Sequence, residues 1–135
     1  TVKSFGKQAV VINIDYKIND GQRTTFIRNG AQEFISLEDQ IDTVLNYDPG
    51  EVMLNCMSLD GTGMGYDIRV LDYIVGPKIP IILAGGAGKP EHFVEVLVHE
   101  NVNAAATGNL FNFLGSGFKN VRKELISSEL NVRKF

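Results

Sequence analysis

The chain has 135 residues, 44% hydrophobic and 21% charged, with a net charge of −3. That is the balance of one soluble globular domain with a modest core, and it gives no reason to expect nucleic acid as a partner. No apolar run reaches the roughly 18–20 residues that span a bilayer, no signal peptide is evident, and the single Cys56 excludes an internal disulfide and fits a reducing cytosol.

Four short apolar runs read as strands, and each precedes a helical pattern. The first, Ala9-Val10-Val11-Ile12-Asn13-Ile14, ends on Asp15-Tyr16-Lys17. The helix expected over 36–47 opens on Ser36-Leu37-Glu38-Asp39, a capping-box-like start, and puts Leu37, Ile41, Val44 and Leu45 on one face. The second strand is Glu51-Val52-Met53-Leu54-Asn55-Cys56, with the thiol expected to be buried. A helix over 67–75 is expected from Asp67 as N-cap, with Ile68, Leu71 and Val75 inward. The third strand, over 79–84, leads into a helix over 90–100 with Pro90 at its first position and Phe93, Val94 and Leu97 inward. The fourth strand is Val102-Asn103-Ala104-Ala105-Ala106, and a last helix over 117–128 carries Phe118, Val121, Leu125 and Ile126. Strand starts fall about 25–40 residues apart, which fits βα units. Strands alternating with helices predict a parallel sheet backed by helices. Four such units make either a small open sheet or half of a (βα)8 barrel.

In parallel α/β folds the chemistry collects where strands end. Asp15 closes the first apolar run, where a carboxylate is costly unless it has a role or a partner. It is either a general acid/base at a barrel mouth or the partner of Lys17. The second strand runs into Ser58-Leu59-Asp60-Gly61-Thr62-Gly63-Met64-Gly65-Tyr66-Asp67. Its glycines permit close backbone approach to a ligand, and Asp60 is either a proton-exchanging group or a turn residue. After the third strand comes Ala84-Gly85-Gly86-Ala87-Gly88-Lys89-Pro90. It is no Walker A loop, because Leu83 stands at the first glycine position and Pro90 at the hydroxyl position. Glu91 ends any Gly86-based dinucleotide fingerprint. The fourth strand is followed by Thr107-Gly108-Asn109-Leu110-Phe111, whose backbone N–H groups at a helical start suit an anion. His92 and His99, seven apart, read as packing or surface residues rather than metal ligands.

Taken together, Ile14-Asp15-Tyr16-Lys17, the Asp60–Asp67 loop, Gly85-Gly86-Ala87-Gly88-Lys89 with Glu91-His92-Phe93, and Asn131-Val132-Arg133 resemble HisF, the cyclase subunit of imidazole glycerol phosphate synthase. The resemblance covers the whole chain but only the C-terminal half of that barrel. It implies an α/β fold, a single parallel (βα)4 half-barrel over 1–135 made of strands five to eight. It also implies the reaction: ammonia from a HisH-type glutaminase is added to a phosphoribulosyl aminoimidazole carboxamide nucleotide, yielding imidazole glycerol phosphate. Asp15 matches one of two catalytic aspartates. Asp60 and Gly61 match the loop at the glycerol-phosphate end, and Gly85, Gly86, Gly108 and Asn109 match the loops that hold that phosphate. No cofactor or metal is implied; a phosphorylated small molecule and the glutaminase are the implied partners, nucleic acid and membrane are not, and the cytoplasm is the implied location. The other aspartate lies outside these residues, so the half by itself is expected to be inactive and to self-associate through its open edges. The chain departs from the family at Ser58, Ala84, Gly108-Asn109 and residues 28–34. These departures keep two alternatives open: a HisF-like subunit delivering ammonia for amidation of acetamido sugars, and a non-catalytic phosphate-binding half-barrel.

Overall fold

The computed structural model describes residues 2–74, 79–108, 110 and 117–133. Its framework is a six-stranded sheet: β1 (Val11–Asn19), β2 (Gln22–Ile27), β3 (Gln32–Ser36), β4 (Glu51–Cys56), β5 (Ile81–Ala84) and β6 (Val102–Ala106), in spatial order β3-β2-β1-β4-β5-β6. The four expected strands are present and parallel, with β1 beside β4, β4 beside β5 and β5 beside β6. Among the described residues the sheet does not close on itself.

The helices are α1 (Val2–Phe5), α2 (Leu37–Leu45), α3 (Pro90–Leu97) and α4 (Gly117–Ser127). Ser36 caps α2, its hydroxyl accepting the Asp39 N–H at 3.1 Å. Leu37, Ile41 and Val44 are buried along its inner face, and Pro90 opens α3 as expected. On α3 the inward residues are His92, Phe93 and Val96, with Val94 and Leu97 only partly covered. On α4, Val121 is buried and Leu125 packs at the core's margin, whereas Phe118 and Ile126 are exposed.

Two regions differ from the sequence expectation. Residues 22–36 are not a loop ahead of a helix but an antiparallel hairpin. Asp20 and Gly21 both take positive φ (49° and 81°), the geometry of a two-residue hairpin turn whose twist matches the flanking strands. β1 therefore runs on past Ile14 to Asn19 and pairs with β2 over Asp15–Asn19. Arg28, Asn29 and Gly30, also at positive φ, turn β2 into β3. Between β4 and β5, the expected helix from Asp67 is a 3-10 turn over Ile68–Tyr73, and Asp67 makes no capping bond to it. Its carboxylate has stronger partners. Arg23 donates Nε and Nη2 to Asp67 at 2.7 and 2.6 Å, and the Tyr16 hydroxyl donates at 2.9 Å. A bidentate guanidinium outcompetes a neutral cap for the carboxylate.

One face of the sheet is packed and the other is not. Ile14, Tyr16, Val52, Leu54, Cys56, Ile81 and Leu83 are buried beneath the helices and the 3-10 turn, each nearly or fully out of solvent. The register aligns Ile14 with Leu54 and Leu54 with Leu83, so the rows interdigitate with Leu37 and Val70. The alternate residues, Val11, Asn13 and Asp15 on β1, Met53 and Asn55 on β4, and Ile82 on β5, lie on the face that no described helix covers and stay partly or fully accessible.

The Arg23–Asp67 pair is 8% and 6% exposed, so it lies within the helix-backed side. Removing one charge leaves the other buried without a counter-ion. Asp67→Asn is expected to lower unfolding stability in urea by about 3–5 kcal/mol; a loss below about 1 kcal/mol would mean the pair behaves as a surface salt bridge.

Candidate functional site

The carboxyl ends of β1, β4, β5 and β6 lie at one end of the sheet, and Asp15, Asp60, Gly61, Gly85, Gly86 and Gly108 sit at that end. Asp15 projects on the uncovered face because its neighbours Ile14 and Tyr16 take the buried face. Its Oδ1 accepts Nδ2 of Asn55 at 2.8 Å, from the laterally paired position on β4. The same oxygen accepts Nδ2 of Asn13 at 2.9 Å. Lys17, the alternative partner for Asp15, forms no ion pair with it; its ammonium lies 4.3 Å over the Phe26 ring instead. The salt-bridge reading of Asp15 is thereby set aside.

The loop after β4 turns back tightly. The N–H groups of Leu59 and Asp60 both donate to the Cys56 carbonyl, at 3.2 and 3.1 Å. Gly61, Gly63 and Gly65 take positive φ of 76°, 70° and 104°. Ser58, one of the departures, donates nothing outward: its hydroxyl accepts the Ile18 N–H at 2.9 Å and ties this loop to β1. The Gly65 N–H then donates to the Gly86 carbonyl at 2.8 Å, joining the loops after β4 and β5.

Glycine is required at this junction for packing within the chain. Gly85 and Gly86 have φ of 88° and 105° and are buried. A Cβ on Gly85 would overlap the Cys56 carbonyl, one on Gly86 the Gly65 carbonyl, and one on Gly88 the Gly63 backbone. The turn belongs to Gly85 and Gly86; Gly88 contributes the close approach. His92, buried, accepts the Gly88 N–H on Nδ1 at 3.1 Å and fixes the start of α3. Tyr66 donates its hydroxyl to the Ala106 carbonyl at 3.0 Å and stands edge-on to Phe93, with centroids 5.8 Å apart. Burial pushes the Tyr66 hydroxyl pKa up, so it remains a donor. Burial also raises Tyr16, with Cys56 and Asp67 adding to the effect.

These contacts frame a depression of about 350 Å³. Asn55, Asp60, Gly85, Thr107 and Gly108 line it together with the apolar Met53, Ala84 and Ala106. Asp60 is exposed. Gly108 differs from Gly85, Gly86 and Gly88: a Cβ there would meet no described atom within 4 Å. Gly61 and Gly86 lie outside the lining, one in the turn and the other in the loop junction. Asn109 lies outside the described residues. Thr107 and Asn55 were not singled out from the sequence as site residues, although the strand-end rule that selected Asp15 applies to both. Lys89 is exposed at the start of α3 and does not reach the depression.

A helix-backed parallel sheet, open on one face, with an oriented acid and glycine-rich loops at its carboxyl ends, is part of a TIM-type βα barrel. Residues 1–116 match the family described as "Histidine biosynthesis protein". The chain is 35% identical over 133 residues to the imidazole glycerol phosphate synthase subunit HisF of Thermotoga sp. (strain RQ2), covering 97% of this chain and 52% of that one. It is 34% identical to the HisF subunit of Nitrosopumilus maritimus (strain SCM1) over 146 aligned positions, covering 96% and 55%. A third HisF subunit, from Alkaliphilus metalliredigens (strain QYMF), is 30% identical over 135 residues, covering 98% and 54%. The chain belongs to the histidine biosynthesis protein family, as a HisF-family member. It spans about half the length of the curated relatives it matches.

The loop junction is directly testable. Gly86→Ala imposes a side chain at positive φ against a carbonyl, and is expected to cost more than about 1 kcal/mol and to shift the Gly65 amide resonance. An unshifted Gly65 amide would show that the two loops do not depend on each other.

Proposed function

We propose that this chain supplies strands five to eight of a HisF-type cyclase, carrying one catalytic aspartate and the binding loops for one substrate phosphate. The observation that carries the reading is the juxtaposition at one end of the sheet. Asp15 is held by Asn55, and Asn55 also lines the depression bounded by Asp60, Gly85 and Gly108. A phosphate suits the space beside Gly108 and Gly85, which share one lining at glycine-rich strand ends, the kind of backbone that binds anions without a cation. Thr107 adds a hydroxyl to the same wall. Asp15 would exchange protons during addition of ammonia and ring closure, working with the second aspartate that the resemblance implies. The nitrogen would come from a HisH-type glutaminase, and the substrate would be the phosphoribulosyl aminoimidazole carboxamide nucleotide.

The test uses the full-length enzyme with ammonium salt and that nucleotide. Asp15→Asn is expected to reduce turnover by about 10²-fold or more while leaving inorganic phosphate binding unchanged. The 135-residue chain alone is expected to show no turnover, having one of the two acids. Full turnover by the Asp15→Asn enzyme would overturn the assignment. A second reading, amidation of an acetamido sugar, is favoured by Ser58, which stands two residues before Asp60 where the family has Asp and uses its own hydroxyl to hold β1. Turnover of an acetamido sugar substrate and none of the nucleotide would select it.

The open sheet also favours association of two copies. Among the described residues, β6 pairs only with β5, and β1 pairs over Val11–Ile14 only with β4, because β2 joins it from Asp15 onward. Both edges present unpaired N–H and C=O groups. Two copies would close an eight-stranded pseudo-barrel over the bare face. Light scattering of the isolated chain is expected to give twice the chain mass, and a monodisperse monomer would rule the association out.

A further inference from the structure

Asparagine is a poor strand former, so Asn13 and Asn55 on two adjacent central strands need a local reason. Both amides point at the same atom, Asp15 Oδ1, at 2.9 and 2.8 Å. They reach it from two directions. Asn13 approaches along β1, two residues earlier, and Asn55 approaches across the ladder from β4. Rotation of the Asp15 carboxylate breaks at least one of these bonds. No described donor engages Oδ2, and Lys17, the nearest cation along the strand, is held over Phe26.

We propose that Asn13 and Asn55 are positioning residues for Asp15. They lock its carboxylate in one orientation and leave Oδ2 as the oxygen presented to the ligand. Neither amide acts on the substrate in this role; each acts through Asp15. Asn55 has a second consequence, because it also lines the depression. It therefore fixes the acid relative to the phosphate loops across one strand spacing. This inference rests on the proposed role of Asp15, and its test separates the two.

In the 135-residue chain, three-bond carbon couplings report the Asp15 χ1 rotamer. A single rotamer is expected in the native sequence and averaged couplings in the Asn13→Leu/Asn55→Leu double variant. Asn13→Ala/Asn55→Ala gives the same readout should the leucines disturb the sheet. In the full-length enzyme, with the carboxamide nucleotide and ammonium, Asn55→Leu is expected to lower kcat about tenfold or more with little change in KM, as misplacement of a catalytic group does. Adding Asn55→Leu to Asp15→Asn is expected to cost nothing further, because the amide then has no carboxylate to orient. A single Asp15 rotamer in both double variants overturns the proposal. So does an undiminished kcat in Asn55→Leu when Asp15→Asn is inactive. Full turnover by Asp15→Asn alone sinks the catalytic role of Asp15, while the rotamer measurement decides the lock independently.

Discussion

The arrangement at the mouth of this sheet depends on one buried ion pair. Asp67 ends the glycine-rich loop after β4, and Arg23 lies on the hairpin that extends β1. Their bidentate contact, with Tyr16 as a third partner, fixes the far end of that loop against the sheet. Tyr66 and Gly65, immediately before Asp67, are then placed to reach the Ala106 carbonyl and the Gly86 carbonyl. Three strand ends are thus registered by a contact on the opposite side of the sheet from the site. Charge burial is costly, so the pair adds geometry more than net stability. Its bidentate fork permits little rotational slack, which a single hydroxyl cap on the 3-10 turn would not achieve.

The uncovered face follows from the same topology. Helices cover only one side of the parallel strands, and in a closed barrel the other side would be interior. Here that face carries a mixed set: Asn13, Met53 and Ile82 lie at one level, and Asp15 and Asn55 lie one layer closer to the mouth. Asp15 and Asn55 lie toward the strand ends, where the chemistry sits above the filled layers of such a barrel, and Asn13 reaches up from the layer below. Such a face is poorly suited to permanent exposure but well suited to closure against more strand.

Much of this was legible in the sequence, and the failures have identifiable physical causes. Strands buried on one face by helices keep β-branched, apolar runs, so β1, β4, β5 and β6 were all marked. The Ser36 cap and Pro90 marked helix starts for the same local reasons that the structure confirms. The hairpin is written in the turn dipeptides Asp20-Gly21 and Asn29-Gly30, but strict strand–helix alternation has no place for antiparallel strands. Asp67 looked like an N-cap because local spacing is visible and a partner 44 residues away is not. On α4, Phe118 fits the helical period of an inward residue, yet it is exposed, since periodicity gives a face and not what covers it.

The glycines show where pattern and mechanism separate. A glycine-rich loop beside a site invites the reading that each glycine admits a ligand. Gly85, Gly86 and Gly88 are glycine because a neighbouring backbone already occupies the space a Cβ would take. Gly108 has no such neighbour. A side chain at the first three would break the loop junction whether or not a phosphate binds; a Cβ at Gly108, which lines the depression, would meet no described atom within 4 Å. The two kinds look alike in sequence because both are short residues after a strand. They differ in what they exclude, and only the second kind restricts the ligand without first restricting the protein.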